Sequence, residues 1–160
     1  MSVTDVSGNG IWSGIFDSFA VQLREKVEFE SASLFIFDST SDTLKEVAHV
    51  GDGIDFISAV NFPMGSGLSA WVAQKGKIIH LPDIHRGSRH GMNPVRSYLA
   101  VPLEMNNRVV GVLNLGHISP NAFSGSNYEM ILDLSRKIAR KIYNQTYFSM
   151  IGYEEASVFN

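Results

Sequence analysis

The 160-residue chain contains no cysteine. Disulfides, thiolate nucleophiles, thioether-linked cofactors and cysteine-ligated zinc or iron–sulfur sites are thereby excluded. No apolar run approaches the roughly 20 residues that a membrane-spanning helix needs. The N-terminus has no basic segment leading into an apolar one, so a signal peptide is not expected and the reading is a cytoplasmic protein. An excess of one charge is missing too. With 13 Lys and Arg against 16 Asp and Glu, the formal net charge is −3, which leaves no electrostatic footprint for nucleic acid or an anionic membrane. What the chain does have is 44% hydrophobic and 18% charged residues. That is the balance of one soluble globular domain with a real core.

Periodicity divides the chain into elements. Residues 1–10, polar and glycine-rich, read as a flexible lead-in to a single domain over 11–148. Ile15, Phe16, Phe19, Ala20, Leu23 and Val27 recur at three- and four-residue steps and predict an amphipathic helix over 11–30. Strands follow at 31–38 and 43–50, joined by a polar hairpin connection, and a shorter one at 59–62. A short helix starts at Ser66 or Gly67 and stops at Lys75-Gly76-Lys77. After a brief strand at 78–81, residues 82–94 form a loop with at most a short helix. Strands at 97–104 and 109–116 flank an Asn106-Asn107 turn. A long final helix begins with Ser124 as N-cap and Phe123 stapled onto Tyr128, and residues 149–160 read as a tail. Hairpin-linked strands with helices at both ends give an α+β fold with a mainly antiparallel sheet.

The chemistry-bearing residues cluster between Met64 and His117. Gly65-Ser66-Gly67 is neither a Walker loop nor a dinucleotide fingerprint. It either shapes a turn that seats Leu68 and Trp71 or offers helix N–H groups to an anion. Trp71 either fills core or stacks on a planar ligand. His80, His85 and His90 recur every five residues, a step that does not hold them on one helical face. Solvated loop histidines are the default, and a metal or haem site is the alternative. Arg96 either pairs with Asp83 or binds a ligand. Alternation along the strand puts Ser97, Leu99, Val101 and Leu103 on one face and Arg96, Tyr98, Ala100 and Pro102 on the other. Asn114 interrupts an apolar strand, and Gly111 permits close approach of a helix or ligand.

The ordered set Gly65-x-Gly67-Leu68-x-x-Trp71-Val72, Pro82-Asp83-Ile84, Arg96-Ser97-x-Leu99-x-Val101-Pro102-Leu103, Val110-Gly111-Val112-Leu113 and Phe123-Ser124 resembles the GAF domain family over about residues 15–147. The resemblance implies a central antiparallel sheet of about six strands with the first and last helices on one face. Short helices and loops over a small-molecule pocket would cover the other. It also implies a regulatory module whose relatives bind cyclic nucleotides, tetrapyrroles, haem, nitrate or other small ligands, or serve as dimerisation units. The members that reduce free methionine sulfoxide rely on cysteines, as does thioether attachment of bilins, and none exists here. Gly116-His117 stands where the cyclic-nucleotide subgroup carries Asn-Lys, and Asn127-Tyr128-Glu129 where it carries Asp-Glu.

The function expected is a small-molecule sensor that is not an enzyme, with no Ser-His-Asp arrangement or paired pocket carboxylates. Its expected ligand-binding residues are Gly65, Gly67, Leu68, Trp71, Asp83, Arg96, Ser97, Tyr98 and Asn114, with ligand and cofactor unassigned. The signal would pass through the first and last helices to the mate in a homodimer or to a signalling protein in trans. The chain would be a stand-alone sensor or a piece of a larger protein. A protein-interaction module with a vestigial pocket is the alternative.

Overall fold

The computed structural model describes residues 4–5, 10–38, 43–51, 67–85 and 95–158. In chain order these form β1 (Thr4–Asp5), α1 (Gly10–Arg24), β2 (Ser31–Asp38), β3 (Thr43–Val50), α2 (Gly67–Lys75), β4 (Ile79–Leu81), β5 (Ser97–Met105), β6 (Arg108–His117) and α3 (Ser126–Val158). The strand expected at 59–62, with Gly65, Ser66 and His90, lies outside the described residues.

The strands make one antiparallel sheet in the order β1-β3-β2-β6-β5-β4. Asn106 and Asn107, both with positive φ (53° and 62°), make the two-residue turn between β5 and β6, the geometry that matches the strand twist. Pro102 is tolerated in β5 for a topological reason. The pairing with β4 runs only from Tyr98 to Ala100, so proline, which has no N–H to give, sits past the end of that ladder. Gly111 is demanded by the neighbouring strand, not by a helix or ligand. A Cβ there would lie 2.3 Å from the Phe35 carbonyl oxygen of β2.

Alternation sorts the sheet residues onto two faces. Ala32, Leu34, Leu99, Val101, Leu103, Leu113 and Leu115 face the main core, which α1 closes with Phe16, Phe19, Ala20 and Leu23. α3 completes it with Ile131, Leu134, Ile138, Ala139 and Ile142. On the opposite face a smaller cluster of Tyr98, Ala100 and Val112 packs beneath Val72 of α2. The expected α+β arrangement, terminal helices on one face and a short helix on the other, is the one observed.

Boundaries differ at several points. Thr4–Asp5, read as lead-in, pairs with Ala48 and His49 of β3. α1 ends at Arg24, where the amides of Lys26 and Val27 both donate to the Leu23 carbonyl. Val27, the last residue of the apolar stripe, is buried all the same, and so is Phe29, because the connection to β2 lies across the core edge. α3 begins at Ser126, and the Gly125 carbonyl accepts the Glu129 amide at 3.4 Å. Ser124 thus precedes the helix instead of capping it. The helix then continues to Val158, through most of the stretch read as a tail. Among the described residues, no helix is long and apolar enough to cross a membrane.

Candidate functional site

The α2 face of the sheet carries an apolar patch under Val72 and, beside it, a hydrogen-bonded polar pair, with Ser33 of β2 opposite Asn114 and His49 of β3 opposite Ser33. In the β5–β6 register Ala100 stands opposite Asn114 and Tyr98 opposite Gly116, so Tyr98 and Asn114 are diagonal neighbours on one face. The Tyr98 hydroxyl donates to Asn114 Oδ1 at 2.9 Å, and the two residues are only 3% and 7% exposed. Burial pushes the Tyr98 phenol well above its usual value, which keeps it protonated and a donor at any physiological pH. Both groups make further contacts. Val72 covers this region, with Trp71, Ala73, Ile79, Ile84 and Val95 packed around it. Trp71 therefore sits with the small cluster as partly buried packing on the side of Tyr98.

The N-terminal end of β5 carries the charged rim. The Arg96 guanidinium donates to Asp83 Oδ1, and His85 Nε2 lies 3.4 Å from Asp83 Oδ2. The backbone holds these residues in place: the Ile84 amide donates to the Arg96 carbonyl at 2.6 Å, and the Arg96 amide to the His117 carbonyl at 2.8 Å. Asn121 N–H in turn donates to the Pro82 carbonyl at 2.7 Å. Arg96 and Asp83 are thus partners of each other, with side chains 39% and 35% exposed. Such a pair contributes little to stability and can exchange partners.

Ser97 does not join this group. It lies on the α1/α3 face, fully buried, and its hydroxyl donates to the Ser119 carbonyl at 2.7 Å. Adjacent residues of a strand point to opposite faces, so Ser97 and Tyr98 do not line one pocket. Gly67 is the first residue of α2 and Leu68 the second.

The histidines are separated by the same rule. His80 stands opposite Leu99, a residue of the main core, and its ring stacks on Tyr128 of α3 with centroids 5.4 Å apart. His80 Nε2 is buried without a hydrogen-bond partner, and desolvation lowers its pKa. His85 is 83% exposed at the rim. His80 and His85 therefore do not converge on one centre. Among the described residues no group of three His, Asp or Glu side chains is arranged to hold a metal ion. Sequence reading quoted Ile84 within the family pattern but named neither it nor Val95 as a site residue, and both pack against the cluster that contains Tyr98. Their signal was present as apolar residues on either side of a polar loop, and only the Ile84–Arg96 backbone bond brings them together.

A model of the GAF domain matches residues 14–142. Solved structures share the fold at low identity. The GAF domain of a two-component sensor histidine kinase from Bacillus halodurans is 18% identical with a TM-score of 0.66, over 85% of this chain and 96% of that one. Free methionine-R-sulfoxide reductase from Neisseria meningitidis, in complex with its substrate, is 22% identical with a TM-score of 0.63, over 90% and 84%. The GAF domain of a phosphoenolpyruvate-protein phosphotransferase from Coxiella burnetii is 18% identical with a TM-score of 0.63, over 88% and 95%. No curated protein matches the sequence. The match across most of the chain, together with the two-faced antiparallel sheet, places this protein in the GAF domain family.

Proposed function

We propose that this chain is a cytoplasmic sensory GAF domain that binds a small molecule on the α2 face of its sheet. The observation that carries the reading is the buried Tyr98–Asn114 pair, a hydrogen-bonded polar couple beside the apolar cluster under α2. Packing alone does not call for a polar pair here, since apolar groups of matching shape at both positions can serve nearly as well. Ligand pockets have this composition: apolar walls with a few placed polar groups. Arg96, at the rim beside Tyr98, supplies the charge for a polar or anionic ligand by exchanging Asp83 for it. Trp71 and the amides of Gly67 and Leu68 at the start of α2 are further proposed contacts for the ligand, as is Gly65, which precedes them in the sequence. Ser97 is not among them.

The mechanism is population shift. A ligand that binds one arrangement of the covering segments better biases the sheet and the packing of α1 and α3 behind it. Those helices pass the bias to a homodimer mate or a signalling protein in trans. Two of the structural neighbours are free methionine-R-sulfoxide reductases. A chain without cysteine has no thiol for reductive chemistry of that kind, so the reading here is binding without turnover.

The test is native mass spectrometry of freshly purified protein, followed by thermal shift against cyclic nucleotides, free methionine sulfoxide, nitrate and haem. A ligand at 100 times its Kd stabilises by about 2.7 kcal/mol, and Tyr98→Phe and Arg96→Ala should each reduce that stabilisation. Protein with no co-purified molecule and no shift from any of these classes would instead be an interaction module with a vestigial pocket.

A further inference from the structure

The α1/α3 side of the sheet, away from Tyr98 and Asn114, carries an open cavity of about 200 Å³. Ile15 and Phe19 of α1 and Leu134 and Ile138 of α3 form its apolar floor. Lys137, Arg140 and Lys141, all exposed, stand around it. None of these three cations has an ion pair among the described residues, whereas their neighbour Arg136 lies 3.8 Å from Asp133. Among the described residues, none that lines the cavity is acidic. Ile11, 45% exposed and one turn before Ile15, continues the apolar strip along α1.

We infer that this groove docks an amphipathic helix with acidic flanks from a partner protein. The inference rests on the reading of α1 and α3 as the output face. Size argues for a helix: the cavity is smaller than the roughly 300–1,000 Å³ that encloses a small ligand. It suits one or two aliphatic side chains projecting from an apposed helix at i and i+3 or i+4. Charge argues for acidic flanks, because three cations around an apolar floor, with no ion pair among the described residues, attract carboxylates and repel a basic helix. It also argues against a second copy in the groove. A two-fold axis there would set Lys137, Arg140 and Lys141 against their own counterparts.

The test uses two fluorescein-labelled synthetic 18-residue helical peptides with leucines at i, i+3, i+4 and i+7. One carries glutamates beside the leucines and the other lysines. Binding is read by anisotropy on the full chain without added small molecule, so the outcome is independent of the ligand screen. The acidic peptide should bind at least tenfold tighter than the basic one at low salt, with the preference shrinking as salt rises. Lys137→Glu with Lys141→Glu, both at exposed positions, should reverse the preference. Ile15→Glu should weaken the acidic peptide by placing a carboxylate on the floor. Equal affinity for the two peptides, or no binding of the acidic one to folded protein, overturns the proposal. So does a dimer that excludes the peptide and falls apart in the charge-reversed variant, which would assign the groove to a second copy. A ligand found in the screen beside a failed peptide test would leave the sensor standing and remove only this partner.

Discussion

Removing the Tyr98 hydroxyl is the most direct perturbation of the candidate site. Tyr98→Phe keeps the ring in its place under α2 but deletes the donor 2.9 Å from Asn114 Oδ1. With both residues buried, water does not replace the lost partner easily, and the variant should lose about 1–3 kcal/mol. At a urea m value of about 2 kcal/mol per molar, that is a midpoint about 0.5–1.5 M lower. Asn114→Leu should lose a comparable amount by removing the acceptor 2.9 Å from the hydroxyl. The double variant replaces the pair by two apolar groups, and its loss should fall short of the sum, with a coupling energy of about 1–2 kcal/mol. The assay is a double-mutant cycle from urea denaturation followed by tryptophan fluorescence and circular dichroism. A second readout is spectrophotometric titration of the five tyrosines at 295 nm. In the wild-type protein burial should make the Tyr98 phenol ionise late, and that late phase should vanish in Tyr98→Phe. A coupling energy below about 0.3 kcal/mol, the scatter of independent sites, would refute the claim that the two side chains act as a unit.

Gly111→Ala should destabilise by more than about 2 kcal/mol, because the added methyl meets strand backbone at 2.3 Å instead of a movable side chain; the change in urea midpoint checks it. Asp83→Asn and Arg96→Ala should each change stability by less than about 1 kcal/mol, since their pair is about one-third exposed. Isothermal titration with whichever molecule the screen identifies should nevertheless show weaker binding for Arg96→Ala. His80 has its pKa lowered by desolvation, so the unfolded chain takes up its proton at a higher pH than the folded one. The stability that neutral His80 contributes is present above about pH 6.5 and is lost as pH falls through that value. His80→Phe should therefore flatten the decline in urea midpoint between pH 7 and pH 5. A slope identical to wild type would show that His80 does not titrate differently in the two states.

Much of the fold can be read from local pattern because the pattern is repeated at each level. The apolar stripe of α1, the alternation in β5 and β6 and the Asn106-Asn107 turn each specify their element without reference to the rest of the chain. The misreadings have a common cause. Val27 continues the apolar spacing of α1, and spacing alone does not separate a helical residue from one in a connection buried on the same core. Gly111 reads as room for a ligand in one dimension, but in the sheet that room is taken by the Phe35 carbonyl.

The candidate site divides the same way. Alternation alone already set Tyr98 and Arg96 apart from Ser97, and the buried Ser97–Ser119 hydrogen bond makes that separation consequential. What local sequence does not contain is cross-strand register, which depends on how β5 and β6 meet. Register is what turns Tyr98 and Asn114, sixteen residues apart in the chain, into one hydrogen-bonded pair, and what sends His80 beneath Tyr128 instead of toward His85. The absence of cysteine, the balance of apolar and charged residues and the family pattern were properties of the sequence by itself. Which polar groups share a face, and that three cations surround an apolar groove between α1 and α3, were decided only when the sheet closed and fixed the two sides on which side chains meet.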